Sequence, residues 1–379
     1  TNAATFALTV VPLFVLMGQF AFESGLSTGL YDTAHKWLSR FRGGLSLATI
    51  ASCAGFAAIC GSTAATAATM GTIALPEMRK YKYNDSLSTA SIAAGGTLGI
   101  LIPPSTGFIL YGVVAEQSIG RLFAAGILPG IVLTLCYAGA VVIQCRLNPA
   151  LAPVGQKYSW IEKFISLKGI VPIMILFILV IGGMFSGIFT ANEAAAVGAF
   201  IALIMMALNK KLTVKSFLKS LEESAKTTSM IFIIIMGAYI FGAFLAATRL
   251  PISIAAFVGG LEVSKYLIIA VIILIYLFLG CIMDSYAMVL LTVPIFLPII
   301  ETLGFSPIWF GVLMVMVMEQ GLMSPPLGMN VYIIAGVAKD VPIIKIFKGI
   351  VPFFIAILIA VILVVAFPQI SLLLPDLLY

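Results

Sequence analysis

Residues 98–112 read LGILIPPSTGFILYG, an apolar stretch that is interrupted in its middle by two prolines followed by Ser, Thr and Gly. A proline has no backbone N–H and its ring clashes with the preceding helical turn, so Pro103 and Pro104 end a helix at this point. The residue before them, Ile102, is driven toward an extended conformation. The stretch therefore predicts two helical segments separated by a break inside apolar surroundings.

The composition of the whole chain explains those surroundings. Of its 379 residues, 61% are hydrophobic and 9% are charged, and the mean hydropathy of +1.16 is far above that of a water-soluble domain. Apolar runs recur from one end to the other, and helices satisfy every backbone group inside a bilayer without a sheet edge. The sequence predicts an all-α polytopic membrane protein.

The break at Pro103 occurs a second time. When the chain is compared with itself at an offset of 222, Pro76 aligns with Pro298, Gly99 with Gly321, and Pro103-Pro104 with Pro325-Pro326. Two copies of one motif are therefore expected. Each copy would contain a helical hairpin that reaches partway into the membrane and returns, followed by a discontinuous helix and a span.

The basic residues give the expected orientation of the two copies. If the lysine-rich loop around Lys211 is cytoplasmic, only Arg121, Arg249 and Lys265 of the 21 basic residues fall outside. If the chain is followed through the membrane from that loop, the first copy begins on the cytoplasmic side and the second on the opposite side, which predicts inverted repeats. The predicted regions are 1–43, an N-terminal span and interfacial helix; 44–146, the first repeat, with hairpin 44–78, broken helix 85–116 and span 123–145; 147–265, central scaffold spans with interfacial arm helices, including a flat helix at 212–226; and 266–379, the second repeat, with hairpin 266–302, broken helix 307–338 and final span 349–370.

A helix that stops inside a membrane exposes backbone groups. The prolines deprive the carbonyls of Gly99, Ile100, Gly321 and Leu322 of their helical donors. Non-helical backbone is tolerated at this depth only where it is buried in protein or lines a polar cavity. Carbonyl ends attract cations, and the amide ends after each break attract anions. A simple proline kink is the alternative, but two matched breaks favour a site.

The middle of each predicted hairpin carries polar residues. At the same offset, Ser62-Thr63 pairs with Asp284-Ser285. A carboxylate inside a membrane is costly and is usually functional. Hard oxygen ligands favour an alkali cation, so we predict Na⁺, with a proton on Asp284 or a helix-capping role for Asp284 as alternatives. Glu319 precedes the second break, where either hydrogen bonding or a role in the site is open.

Other classes of function fit less well. The basic residues lie in short loops, so no nucleic-acid partner is expected. The single histidine, His35, and the lack of hydrolase motifs argue against an enzyme. A channel could also use broken helices, but inverted hairpins with one carboxylate favour stoichiometric coupling over a continuous pore.

The residues of both copies resemble a known family. The stretch GSTAATAATMGTIALPEMRKYKYNDSLSTASIAAGGTLGILIPPSTGFILYGVVAEQSIGRLFAAGILPG (61–130) is similar to the large membrane subunit of tripartite ATP-independent periplasmic (TRAP) transporters. So are MDSYAMVLLTVPIFLPII (283–300) and GLMSPPLGMNVYIIAGVA (321–338). The resemblance implies further membrane segments before Thr1. It also implies an elevator-type Na⁺ symporter for organic anions such as C4-dicarboxylates, sialic acid or similar sugar acids.

The resemblance also implies a location and partners. These are the bacterial inner membrane, a small four-helix membrane subunit, a periplasmic substrate-binding protein and the lipid bilayer. Combined with the chemistry of the breaks, it gives two predicted sets. The Na⁺ set is Ser62, Thr63, Gly99, Pro103, Asp284, Ser285, Gly321 and Pro325; the substrate set is Ser62, Thr66, Ser105, Thr106, Gly328 and Asn330. A proton-coupled organic-anion transporter remains the alternative. No catalytic residue and no organic cofactor are predicted.

Overall fold

The structure is a computed structural model that describes residues 6–326 and 328–379. The first five residues of the predicted region 1–43, and Leu327 of the predicted broken helix 307–338, lie outside the described residues. The helices are α1 Val10–Glu23, α2 Leu26–Leu38, α3 Gly44–Cys60, α4 Thr63–Lys80, α5 Asp85–Gly96, α6 Leu98–Leu101, α7 Thr106–Val114, α8 Ile119–Leu147, α9 Trp160–Ser166, α10 Val171–Phe177, α11 Gly183–Phe185, α12 Ala191–Leu208, α13 Val214–Thr248, α14 Leu250–Gly259, α15 Lys265–Gly280, α16 Ser285–Thr302, α17 Pro307–Gly321, α18 Met329–Val337, α19 Ile343–Ala366 and α20 Gln369–Leu378.

The helices confirm an all-α, multi-pass membrane fold. Within the described part of the chain, six helical segments are long and apolar enough to cross a membrane, and eight if two bent pairs each count as one span. One bent pair is α1 and α2, which meet at 65°. The other joins Trp160–Gly169 to Val171–Phe185 at 45°, and it contains a π-helical turn at Ile178–Gly182.

Two helix pairs occupy the predicted hairpin positions. In the first, called hairpin 1, α3 and α4 are separated only by Gly61 and Ser62. In the second, hairpin 2, α15 and α16 are separated by residues 281–284. The second arms, α4 and α16, begin and end at positions that differ by the repeat offset of 222. Arms of 16 to 18 residues measure about 24–27 Å, which is short of the roughly 30 Å hydrocarbon core.

Both predicted discontinuous helices are also broken in the structure. The first ends with α6 and resumes with α7, and Ile102 between them is extended as expected. The second ends with α17 and resumes with α18 after residues 322–328. Gly328 has φ of +41°, a left-handed conformation that favours glycine. The peptide bonds Pro103-Pro104 and Pro325-Pro326 are both cis.

The prediction of a separate flat helix at 212–226 is wrong. The structure continues α13 without interruption from Val214 to Thr248, a helix of 35 residues and about 52 Å. The sequence pattern was misleading because Lys215, Lys219 and Glu222 lie within the first turns of one long helix. A helix longer than the bilayer can extend its charged end into water without a break.

Glycines allow the hairpins to approach the broken helices at backbone distance. A Cβ at Gly99 would lie 2.6 Å from the carbonyl oxygen of Ser62, at the tip of hairpin 1. A Cβ at Gly321 would lie 2.5 Å from the Cα of Gly280, at the end of the first arm of hairpin 2. The two glycines are repeat equivalents, so the same close approach is built in both halves.

A charged network ties the two repeats together at one end. The Arg79 guanidinium donates to Asp340 at 2.8 Å, between hairpin 1 and the segment after α18. Asp85, at the start of α5, accepts from Lys345 at 3.0 Å. The hydrogen bond from Arg79 lowers the pKa of the Asp340 carboxyl. Exposed pairs of this kind contribute little stability individually.

We expect Gly321→Ala to destabilise the protein, because the added methyl group meets backbone that cannot rotate away. Overpacking of this kind costs about 1–3 kcal/mol, which thermal melting in detergent would detect. Gly139→Ala is the matched control, since a Cβ there has nothing within 4 Å. It should be neutral or stabilising by up to about 1 kcal/mol. Equal melting temperatures for wild type and Gly321→Ala would contradict the close approach.

Candidate ion and substrate site

The tip of hairpin 1 packs against the first helix break. The Gly61 carbonyl accepts from the Thr106 hydroxyl at 2.9 Å and from the Thr106 amide at 3.4 Å. The Ser62 side chain caps α4 by accepting from the Ala65 amide, and the Ser62 carbonyl accepts from the Thr66 hydroxyl at 2.8 Å. The polar groups of this tip are therefore held by the protein itself.

Ser105 is used entirely for structure. Its hydroxyl donates to the carbonyl of Ile100 and accepts from the Phe108 amide at 3.2 Å, so it closes the end of α6 and caps the start of α7. The residue is fully buried. Its predicted role as a substrate ligand stays a prediction, and in this conformation the only hydrogen of the hydroxyl is already donated to Ile100.

Several backbone groups that the prolines were predicted to free have other partners. The Ile100 carbonyl accepts from the Ser105 hydroxyl. The carbonyls of Gly321 and Leu322 accept from the backbone amides of Ser324 and Asn330, respectively. One amide in the first turn of each following helix is likewise engaged, that of Thr106 in α7 and that of Asn330 in α18. Each carbonyl keeps a second lone pair for a cation. An anion, however, finds few free amides at these helix ends.

Hairpin 2 presents the carboxylate. Asp284 is half-buried and caps α16 by accepting from the Tyr286 amide at 2.9 Å, so the capping alternative is confirmed for one of its oxygens. None of the ion pairs found among the described residues includes Asp284. Beside it the buried Ser285 hydroxyl has no hydrogen-bond partner. This tip therefore combines the Asp284 carboxylate with the Ser285 hydroxyl oxygen, which has no hydrogen-bond partner.

A cavity of about 390 Å³ opens next to this tip. It is lined by Asp284, Gly321, Gly328 and Tyr332, among others. Asn330, next to Met329 in the sequence, is fully buried. Its side-chain amide nitrogen donates to the carbonyl of Ala93, and its side-chain oxygen has no hydrogen-bond partner. Pro325 is the exception in the predicted set, since it faces a different, apolar cavity of about 590 Å³ with Cys281 and Phe347.

Each hairpin tip also touches the opposing repeat. The hydroxyl of Tyr286, at the start of α16, lies 3.2 Å from the Thr106 hydroxyl in the first break. Thr63, at the start of α4, lies 3.0 Å from both carboxyl oxygens of Glu319, in the second broken helix. The structure thus brings the two predicted halves of the site into contact at two points.

A small cavity of about 30 Å³ separates these tips from two other helices. Its polar lining is formed by Gln19 of α1, Thr227 of α13, Ser62, Thr106 and Tyr286. The sequence did not identify Gln19, Thr227 or Tyr286 as site residues, and it left the role of Glu319 open. Gln19 is the only amide within its apolar helix, which is the signal that could have identified it.

The predicted residues therefore form two clusters. Ser62, Thr63, Thr66, Gly99, Ser105 and Thr106 lie at or against the first tip, and Asp284, Ser285, Gly321 and Gly328 lie at or around the second. Pro103 lies in the first break, and the Asn330 side chain bonds to Ala93 of α5. No group of three or more His, Cys, Asp or Glu side chains suited to a transition metal occurs in the part of the chain that the structure describes. The available ligands are hydroxyl, carbonyl, amide and single carboxylate oxygens.

Such a fold, with paired helix breaks meeting inside a bundle of membrane spans, defines a multi-pass membrane transport protein. Comparison with known proteins gives the family. The sequence matches the family described as "Tripartite ATP-independent periplasmic transporter, DctM component" over residues 1–370. The chain belongs to this family, and the resemblance seen in the repeats is confirmed.

Similar proteins include permeases with different named substrates. The chain is 34% identical to the C4-dicarboxylate TRAP transporter large permease protein DctM of Pseudomonas aeruginosa, over 98% of this chain and 86% of that protein. It is 33% identical to the sialic acid permease SiaM of Vibrio cholerae, over 98% and 87%. It is 30% identical to the ectoine permease TeaC of Halomonas elongata, over 98% and 86%.

A solved structure has a related fold. The crystal structure of the Alcanivorax borkumensis YdaH transporter, described as revealing an unusual topology, superposes with a TM-score of 0.61. The superposition covers 95% of this chain and 85% of that chain at 15% identity. At this identity the likeness concerns the fold alone.

We expect Ser105→Ala to lower the free energy of unfolding by about 1–3 kcal/mol, because it removes a helix cap and leaves the Ile100 carbonyl without its donor. Ser306→Ala is the matched control. Ser306 also precedes a helix, but its side chain makes no capping hydrogen bond, so its loss should change stability by less than about 0.5 kcal/mol. Thermal melting of both variants tests the assignment, and equal effects would contradict a structural role for Ser105.

Proposed function

We propose that this chain is the transport subunit of a tripartite system in the bacterial inner membrane, where it couples Na⁺ to the uptake of an organic anion. A small membrane subunit and a periplasmic substrate-binding protein would be its partners, as the resemblance implies. The observation that carries the proposal is the tip of hairpin 2, where a carboxylate with no basic partner among the described residues lies next to the buried Ser285 hydroxyl, which has no hydrogen bond.

The ligands at this tip suit Na⁺. Asp284 has a carboxylate oxygen to spare after capping α16, and the Ser285 hydroxyl adds a hard oxygen. A carboxylate inside the membrane needs a partner, and the described residues offer it no ion pair. One carboxylate with a few neutral oxygens is too weak a set for tight Ca²⁺ binding, which uses six to eight oxygen ligands. An alkali cation is therefore the best match.

Hairpin 1 offers an equivalent but neutral set. Ser62, Thr63 and the backbone next to Gly99 occupy the repeat positions of Asp284, Ser285 and Gly321. Oxygen ligands without a carboxylate bind a cation more weakly. We propose that the first tip takes a second Na⁺, with lower affinity than the site at Asp284.

The small cavity beside the tips is the proposed substrate position. Its polar lining offers amide and hydroxyl donors, from Gln19, Thr227 and Tyr286, and no charged side chain. The named substrates of the relatives, C4-dicarboxylates, sialic acid and ectoine, all contain a carboxylate, which such donors can bind. Because helix-end amides near the breaks are largely engaged, side chains would provide most of the recognition.

The position of the cavity suits an elevator motion. The helices α1 and α13 form one wall, and the two hairpin tips with the first break form the other. At about 30 Å³ the cavity holds no more than about one water, so the substrate requires the walls to separate. We propose that the hairpins and broken helices move together against α1 and α13.

We expect Na⁺ to raise the melting temperature of the purified protein relative to K⁺ at equal ionic strength. A ligand at 100 times its Kd stabilises by about 2.7 kcal/mol. Asp284→Asn should lose most of this Na⁺-specific effect, because asparagine still caps the helix but has no charge. Asp340→Asn is the control, since Asp340 is exposed and paired with Arg79, and it should keep the effect. A full Na⁺ shift in Asp284→Asn would contradict the site.

The substrate position is tested at Gln19. We expect Gln19→Leu to raise the KM for uptake about tenfold or more, in cells that contain both partner subunits, because one amide donor is lost. Gln19→Glu, nearly the same size, should be worse, since it places a negative charge beside an anionic substrate. The Na⁺-specific stabilisation should remain in both variants. Unchanged KM in both would remove the cavity from the substrate pathway.

A further inference from the structure

Glu319 is the most deeply buried acid described in the structure, and nothing in the proposed coupling uses it. It lies in α17, two residues before Gly321, and is 0% exposed. Its only hydrogen-bond partner among the described residues is the Thr63 hydroxyl, on the tip of hairpin 1 in the other repeat. It takes part in none of the ion pairs found in the described chain.

The geometry of this contact depends on where the protons are. The Thr63 oxygen lies 3.0 Å from each of the two carboxyl oxygens. A hydroxyl has one hydrogen, so an ionised carboxylate, which only accepts, would receive a single hydrogen bond and leave the other contact unpaired. A protonated carboxyl donates through one oxygen and accepts through the other. Both contacts are then hydrogen bonds, in a closed ring with the hydroxyl.

The electrostatic surroundings favour the same form. The start of α4 faces Glu319, and its dipole would stabilise an anion, but a single helix end offsets only part of the cost of burying an unpaired carboxylate. The titratable groups close enough to interact electrostatically with Glu319 are Tyr137 and Tyr286. Tyr286 in turn lies near Cys60 and Asp284. The two tyrosine hydroxyls pair with Thr97 and Thr106 instead. None of these groups supplies a positive charge.

We propose that Glu319 is a proton-binding site, whose bound proton joins hairpin 1 to the second broken helix. The carboxyl donates this proton to the Thr63 oxygen and accepts the Thr63 hydroxyl hydrogen in return. Closure of hairpin 1 is then tied to the protonated state, because withdrawal of the tip removes the one hydrogen-bond partner that this carboxyl has among the described residues. The proposal concerns protonation at Glu319 and is independent of whether Na⁺ binds at Asp284.

Infrared spectroscopy of the full chain in lipid bilayers tests this directly. The C=O stretch of a protonated carboxyl is separate from the amide bands and shifts in D₂O. We expect wild type at neutral pH to show one such band that is missing in Glu319→Gln, a change that replaces the acid with a neutral amide of the same shape. Glu301→Gln is the matched control, since Glu301 is exposed, and it should leave the band unchanged.

A second pair of variants tests the partner. In Thr63→Val the band should persist and move to higher frequency, because the carboxyl loses both hydrogen bonds, whereas Thr63→Ser should keep the wild-type frequency. Identical spectra for wild type and Glu319→Gln would overturn the proposal. So would disappearance of the band on addition of NaCl, which would make Glu319 a cation ligand. Neither result depends on transport, so failure here is distinct from failure of the Na⁺ site at Asp284.

Discussion

The structure depends on one constraint: a helix that ends inside a membrane must find partners for its backbone within the protein. Both breaks meet this requirement, the first through a contact with hairpin 1 and a local hydrogen bond, the second through local hydrogen bonds across the break. Thr106 covers the Gly61 carbonyl at the first tip, and Ser105 covers the end of α6. At the second break, Asn330 and Ser324 cover the carbonyls at the end of α17. The polar groups around each break are therefore divided between closing helix ends and remaining available to a ligand.

The two repeats share this geometry but differ in charge. In both, a glycine of the broken helix lies against the backbone of its own hairpin, which allows a side chain from each tip to reach the opposing repeat. The first tip contributes only hydroxyls and carbonyls, whereas the second contributes a carboxylate. A symmetric architecture therefore carries an asymmetric set of ligands, and one half is better suited to hold a cation.

The two acids of the core have different surroundings. Asp284 lies at the edge of a cavity and has an oxygen to spare, which suits an exchangeable ion. Glu319 is enclosed and has a single hydroxyl as its partner among the described residues, which suits a proton. Thr63 joins hairpin 1 to the second broken helix at Glu319, and Tyr286 joins hairpin 2 to the first break at Thr106. Each acid therefore lies next to a contact between the two repeats.

The sequence alone determined the membrane class, the repeat, the hairpin tips and the positions of the breaks. Apolar runs, proline pairs and the match of the chain with itself can all be read directly from the order of the residues. It also identified Asp284 as a charge in apolar surroundings. It did not show that the Ser105 hydroxyl bonds its own helix ends or that α13 runs unbroken, which are local outcomes that the pattern of polar and apolar residues left open. It could not show that Gln19 and Glu319 face the tips, because this depends on which residues distant in sequence meet. Only the tertiary packing decides which hydrogen-bonding groups are left over for a ligand.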